Sequence, residues 1–261
     1  ALKNGRLQVR PGEIHGLVGE NGAGKSTLIK VLSGAHRQDK GRVLLDGKEV
    51  SINSPKDSID KGIAVIYQEF MLAPDLTVAE NIFIDHLTQK KGIINWKSLA
   101  KSAQELLDAL GFGNISPMSL VGNLTVAHQQ VVEICKALSR NAKVLVLDEP
   151  TAVLTFAEIE KLFVLLKRLR DEGVSIIYIS HRLEEIFTLC DRITIMKDGE
   201  YIETVLAKDI DKEGLVSKMI GRPMTEMFPK RDAKIGDVVF EAKNICSGNL
   251  VRNVSFHVRS G

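Results

Sequence analysis

Short apolar runs recur along the chain at 14–18, 43–45, 63–67, 144–147, 176–179 and 193–196. Several are continuous rather than alternating, the pattern of strands covered on both faces of a sheet. Between them, apolar positions with helical spacing predict helices over 28–32, 98–110, 157–170 and 183–189. Alternation of the two periods predicts an α/β domain with a mainly parallel sheet. Asp46-Gly47 and Asp198-Gly199 each join two β-rich runs. They predict hairpin turns, in which glycine takes the positive φ, so antiparallel pieces are attached to the parallel core.

Between Thr77 and Ser139 the strand pattern disappears and helix dominates. Thr77-x-x-Glu80 predicts a capping box that opens this helical insert at about 77–139, and Thr155-x-x-Glu158 predicts a second one. The opening LKNGRLQVRPG resembles the closing VRNVSFHVRSG. Asn4 matches Asn253, Val9 matches Val258, Arg10 matches Arg259 and Gly12 matches Gly261, each pair 249 positions apart. The repeat predicts one complete unit over 1–221, a linker over 222–236 with Pro223 and Pro229, and the first strands of a second, truncated unit over 237–261.

Composition narrows the picture. The 261 residues are 44% hydrophobic and 26% charged, with a formal charge of only +2. That balance argues against a dedicated nucleic-acid binder, and Lys167, Arg168 and Arg170 read as a solvated helix face. No apolar run approaches the ~18 residues a membrane-crossing helix needs. Cys135, Cys190 and Cys246 form no CxxC pair and read as free thiols. His15, His36, His86 and His257 form no metal-ligand spacing, and Trp96 reads as a packing residue.

The chemistry is concentrated in GENGAGKST, residues 19–27, directly after the strand at 14–18. It fits GxxxxGK[ST] in the required strand–loop–helix context. Glycines let backbone N–H groups curl around phosphate oxygens, and the following helix points its positive end at the same charge. Lys25 is positioned to reach the β- and γ-phosphates and the Ser26 hydroxyl to bind Mg²⁺. A P-loop does not by itself separate a GTPase from a kinase or a motor; the guanine-reading NKxD motif is missing from the sequence. VLVLDEP at 144–150 ends a buried strand in two carboxylates, Asp148 for the Mg²⁺ shell and Glu149 for an attacking water. His181 follows the strand at 176–179, where an imidazole can hydrogen-bond a γ-phosphate. Gln68 follows the run at 63–67 and can ligate Mg²⁺ or orient water.

These elements in this order resemble the ATP-binding cassette ATPases over essentially the whole chain. The resemblance implies a P-loop NTPase fold with a mainly parallel sheet core, an antiparallel β subdomain and an inserted α-helical subdomain. It implies ATP held by Gly19, Glu20, Asn21, Gly22, Ala23, Gly24, Lys25, Ser26 and Thr27. Mg²⁺ would be held by Ser26, Gln68 and Asp148, the last through water. Gln68 resembles the Q-loop glutamine, Glu149 the catalytic glutamate and His181 the switch histidine. Leu124, Thr125, Val126, Ala127, His128 and Gln129 sit where the family carries its LSGGQ signature. YQEFMLAPDLTVAENIF, EPTAVLT and YISHRLEEIF are similar to the ATPases of bacterial monosaccharide importers, which carry two cassettes in tandem. By that resemblance the partners are a second cassette of the same polypeptide, membrane permease subunits and, indirectly, a periplasmic sugar-binding protein. No nucleic acid is among them, and the location is the cytoplasmic face of the inner membrane, peripheral through the permease.

Thr125 and His128 depart from the signature, and Ala127 places a Cβ where a glycine lets phosphate approach closely. The aromatic residue on which the family stacks adenine has no counterpart in the 18 residues before Gly19. The strand that would carry it corresponds in the repeat to 238–241, which could pair beside a strand at 7–9. Two rival readings are a tandem cassette acting in translation or DNA repair and a regulatory cassette that binds ATP without turnover. The short break between units opposes the first; Glu149 and His181 oppose the second.

Overall fold

A six-stranded sheet in the order β4-β5-β6-β1-β7-β8 carries the first of two compact units, Ala1–Gly221. The computed structural model describes residues 2–87, 94–221, 234–248 and 250–260. Its sheet strands are β1 (Ile14–Val18), β4 (Ile63–Ile66), β5 (Val144–Asp148), β6 (Ser175–Ile179), β7 (Arg192–Lys197) and β8 (Glu200–Leu206). Five run parallel and β8 closes antiparallel on β7. A separate hairpin pairs β2 (Val43–Leu45) with β3 (Lys48–Val50). At both Asp-Gly turns the two residues have positive φ, 50° and 75° at Asp46-Gly47 and 50° and 83° at Asp198-Gly199. This is the turn that matches the twist of paired strands.

The continuous apolar runs divide their side chains between two faces, as strand geometry requires. Leu145, Leu147, Ile176 and Tyr178 pack on one face with Leu166 of α6 (Phe156–Asp171) and Ile186 of α7 (Leu183–Leu189). Val146, Ile177 and Ile179 pack on the other with Leu28 and Ile29 of α1 (Lys25–Leu32). Helices α2 (Pro55–Asp60) and α8 (Lys212–Ile220) complete the cover. His15 in β1 is fully buried because both ring nitrogens have partners, Glu13 Oε1 at 2.9 Å and Thr194 Oγ1 at 2.7 Å. Burial alone would raise the Glu13 carboxyl, but the bonds to His15 and to the Arg10 N–H hold it below its ordinary value.

The insert contributes α3 (Val78–Ile82), α4 (Trp96–Ala109) and α5 (Val126–Ser139) around Val78, Ile82, Leu107, Val131 and Val132. Helix α5 belongs to two cores. Val131, Val132 and Cys135 pack in the insert, while Ile134 and Ala137 pack against the sheet. The predicted caps form: Glu80 accepts from the N–H and hydroxyl of Thr77, and Glu158 does the same for Thr155. Trp96 opens α4 half-exposed, and Cys135 and Cys190 are buried free thiols while Cys246 is exposed. Among the described residues, no helix is long and apolar enough to cross a membrane.

Residues 7–9 form no strand; Leu7 and Val9 pack half-buried beside the α1-side core without joining a ladder. Tyr67 lies past the end of β4, and α1, α4 and α6 begin one to three residues earlier than periodicity places them. First-turn residues of a helix need not be apolar, so the pattern starts late. The second unit contains β9 (Val238–Ser247) and β10 (Val251–Arg259), paired antiparallel, so 238–241 belongs to a hairpin of its own. Most of the linker expected at 222–236, with Pro223 and Pro229, lies outside the described residues.

Asn81 ties the entrance of the insert together from a buried position. Its Oδ1 accepts from Ala73 N–H at 2.8 Å, and Nδ2 donates to the carbonyls of Ala73, Leu76 and Thr77. Asn81→Ala leaves the Ala73 N–H without its partner and takes one of two donors from each carbonyl, and is expected to cost about 1–3 kcal/mol, read as a lower urea midpoint at unchanged m.

Candidate active site

The parallel register brings the chemistry to one edge. Asp148 ends β5 opposite Ile179, the last residue of β6, and β1 lies next to β6. The P-loop, Glu149 and His181 therefore all leave the sheet at its C-terminal edge, where open α/β sheets place ligands. Gln68 lies two residues beyond β4, whose Ile66 pairs with Leu147 of β5, so its backbone leaves the same edge and its side chain is exposed.

The loop over 19–24 is shaped by close approach. A Cβ on Gly19 would stand 2.3 Å from the Met196 carbonyl oxygen of β7, so a side chain there requires the backbone to move. Gly24 caps α1 at φ 96°, a conformation that glycine adopts without strain. No side chain caps α1, and its first turn holds no acidic residue. The first amides of this helix are thereby left for an anion. The turn between β7 and β8 braces the loop, Gly199 N–H donating to the Ala23 carbonyl at 3.1 Å. Glu20, Asn21, Gly22 and Ser26 are exposed on the loop and the first turn of α1, Thr27 is half-buried, and Ala23 is buried.

Lys25 folds across this cradle, Nζ donating to the carbonyls of Gly19 at 2.7 Å and Glu20 at 3.1 Å. Burial lowers its pKa, while the Glu149 and Asp148 carboxylates act in the opposite direction. Burial, then the charge of Glu149, raises the pKa of Asp148, and Lys25 opposes the shift. One ammonium and two carboxylates thus share a poorly hydrated edge. His181 Nδ1 lies 3.2 Å from Glu149 Oε2. Glu149 takes a positive φ of 51°, and its N–H donates to the Ile179 carbonyl at 2.9 Å.

The residues fit Mg²⁺ and a triphosphate. The serine hydroxyl, amide oxygen and carboxylate of Ser26, Gln68 and Asp148 are hard oxygen donors of the kind Mg²⁺ takes. The uncapped helix start and Lys25 are complementary to phosphate.

The six signature positions stand elsewhere, at the N-terminus of α5 in the insert. Thr125 caps the helix, its Oγ1 accepting from His128 N–H at 3.3 Å. Val126 opens the helix exposed, and Ala127 and His128 follow half-buried in its first turn. Gln129 turns back to the chain, Nε2 donating to the carbonyls of Val121 and Leu124, so its amide braces the preceding loop. Leu124 packs half-buried on the insert core.

Sequence reasoning missed the residues that steady the loop after Gln68. Glu133 Oε1 accepts from Met71 N–H at 2.7 Å, and Lys136 Nζ donates to the Met71 carbonyl at 2.7 Å. Both polar groups of one peptide residue are thus held from successive turns of α5. Burial raises the Glu133 carboxyl, and Lys136 opposes the shift. A charged residue inside the run VVEI was the available signal, because a buried carboxylate needs partners.

The ABC transporter family model matches residues 2–152. The chain is 50% identical over 262 aligned residues to the "Ribose import ATP-binding protein RbsA 3" of Rhizobium meliloti, covering 100% of this chain and 51% of that protein. It is 47% identical to the "Ribose import ATP-binding protein RbsA" of Bacillus subtilis, covering 98% of this chain and 52% of that protein. The chain spans about half the length of the curated relatives it matches. Among solved structures, the ADP conformation of MJ1267, an ATP-binding cassette of an ABC transporter, superposes with a TM-score of 0.71 at 26% identity. That match covers 82% of this chain and 90% of the other. A dimeric post-hydrolysis state of the cassette MJ0796 bound to ADP and Pi superposes at 0.68 and 26% identity, over 79% and 90%. By the family model over 2–152 and the cassette structures it superposes on, the chain belongs to the ABC transporter family, in its ATP-binding cassette.

Proposed function

We propose that this chain binds and hydrolyses ATP to power import of a monosaccharide through a membrane transporter. The observation that carries the reading is the Glu149–His181 pair at 3.2 Å, at the sheet edge that also bears Lys25 and Asp148. The names of the relatives, ribose import ATP-binding proteins, support the substrate class.

In this reading the backbone of 19–27 and the start of α1 cradle the phosphates, with Lys25 released from Gly19 and Glu20 to the β- and γ-oxygens. Ser26, Gln68 and Asp148 would hold Mg²⁺, which would supply neutralisation of the phosphate charge. Glu149 accepts the proton of the attacking water, and His181 donates to the γ-phosphate while its other ring nitrogen stays near Glu149. Binding orients the terminal phosphate in line with that water.

The site is completed by a second cassette of the same polypeptide, whose signature helix would meet the γ-phosphate with its N-terminal amides. Leu124–Gln129 of this chain would serve the partner's site in return. In the same reading 1–221 is one cassette, 222–236 a linker and 237–261 the first strands of a second; the repeat and relatives about twice as long support this division. Permease subunits dock on the assembly at the cytoplasmic face of the membrane, and a periplasmic sugar-binding protein acts through them.

Glu149→Gln in the assembled transporter is expected to lower ATP turnover by about 10²–10⁴-fold while leaving Mg-ATP affinity unchanged. Turnover that matches the unaltered protein removes Glu149 as the base. Lys25→Ala is expected to weaken nucleotide binding by about tenfold or more, measured by equilibrium titration, because a charged hydrogen-bond donor to phosphate is lost.

A further inference from the structure

Behind the Glu149–His181 pair lies a second carboxylate that the mechanism does not use. Glu185, in the first turn of α7, is buried. Thr151 Oγ1 lies 2.9 Å from both of its oxygens, Tyr178 OH donates to Oε2 at 2.9 Å and Ser180 Oγ donates to Oε2 at 2.7 Å. All three donors are buried as well. Arg182 NH1 reaches Oε1 at 3.6 Å from the surface, and Arg182 N–H donates to Ser180 Oγ at 3.0 Å. A carboxylate offers about four acceptor sites, so three hydroxyls on one group leave it well satisfied without water. Burial, then the Glu185 charge, raises the Tyr178 pKa far above its ordinary value, so the phenol stays a donor.

The donors come from chosen places in the chain. Thr151 is two residues after Glu149, and Ser180 immediately precedes His181. One buried group therefore grips both segments that present the pair, from two residues away on one side and one on the other. The segment with Thr151 needs such a grip. Glu149 adopts a left-handed conformation that a side chain rarely takes; among the described residues its backbone is held by its N–H bond to Ile179 and the turn bond from Ala152 N–H to the Glu149 carbonyl.

Resting on the ATPase reading above, we propose that Glu185 is a positioning residue for hydrolysis. By accepting from Thr151 and Ser180 together, it sets the separation of Glu149 and His181 and so the place of the water between base and γ-phosphate. Glu185 touches no reacting atom; it fixes the two residues that do.

The three donors separate this role from simple packing. Tyr178, the fourth of the five residues of β6, stands three residues before His181, whereas Ser180 directly precedes His181 and Thr151 follows Glu149 by two. Thr151→Val, Ser180→Ala and Tyr178→Phe each delete one hydroxyl at nearly constant volume. ATP turnover in the assembled transporter and Mg-ATP affinity are measured for each, alongside the melting temperature. Thr151→Val and Ser180→Ala are expected to lower kcat by about tenfold with affinity held within about twofold, since small misplacements of reacting groups are costly. Tyr178→Phe is expected to lower the melting temperature comparably yet leave kcat within about twofold. Glu185→Gln, which turns one acceptor oxygen into a donor, is expected to lower kcat the most. If all three deletions lower the melting temperature but none moves kcat, Glu185 is only a packing anchor and the inference is overturned. A complete lack of turnover in the unaltered protein overturns the ATPase reading, and this inference with it. Turnover in the unaltered protein with full kcat in Thr151→Val overturns the positioning role alone.

Discussion

The parallel register of β5 on β6 is the constraint on which the rest of the site depends. Asp148 opposite Ile179 puts the two strand ends level, and Glu149 N–H then finds the Ile179 carbonyl at 2.9 Å. Because helices cover both faces of the sheet, water and charge meet its backbone only at the edges. A slip of one residue would exchange the two faces and bury the carboxylates. The same register keeps Asp148 in a poorly hydrated place where Lys25 is its counter-charge, which explains the opposed pressures on both groups.

Helix α5 links this edge to the insert. It carries the signature positions at its N-terminus, packs in the insert core through Val131, Val132 and Cys135, and reaches the sheet core through Ile134 and Ala137. Glu133 and Lys136 grip the Met71 peptide groups three residues after Gln68. A close-packed helix anchored in two cores moves as a unit, so the loop after Gln68 and the signature cannot shift independently. This rigidity is the kind of element through which small shifts at a nucleotide become larger displacements elsewhere.

Much of this was legible beforehand because local rules decide it. The continuous runs at 144–147 and 176–179 became β5 and β6 within a residue, and both Asp-Gly pairs became hairpin turns. Leu7 and Val9 misled, because alternation of apolar and polar residues reports a half-buried extended chain and not whether a neighbour is free to pair. Gln129 sits among the signature residues, yet its amide is spent on Val121 and Leu124, which no motif records.

By itself, the sequence determined most strands and helices of the first unit, two helix caps, two hairpin turns, the glycine-rich GxxxxGK[ST] loop and the residue types at the C-terminal edge of the sheet. Each follows from spacing of a few residues, where backbone geometry acts directly. Only the tertiary structure decided which distant groups meet: Glu149 with His181, Glu133 with Met71, and Glu185 with Thr151, Tyr178 and Ser180. Those partners lie 5 to 62 positions apart, Ser180 and Glu185 being the nearest pair. A buried carboxylate in the sequence announces that partners must exist, because burial without them is prohibitive. Which partners they are is settled by how the strands register and the helices pack.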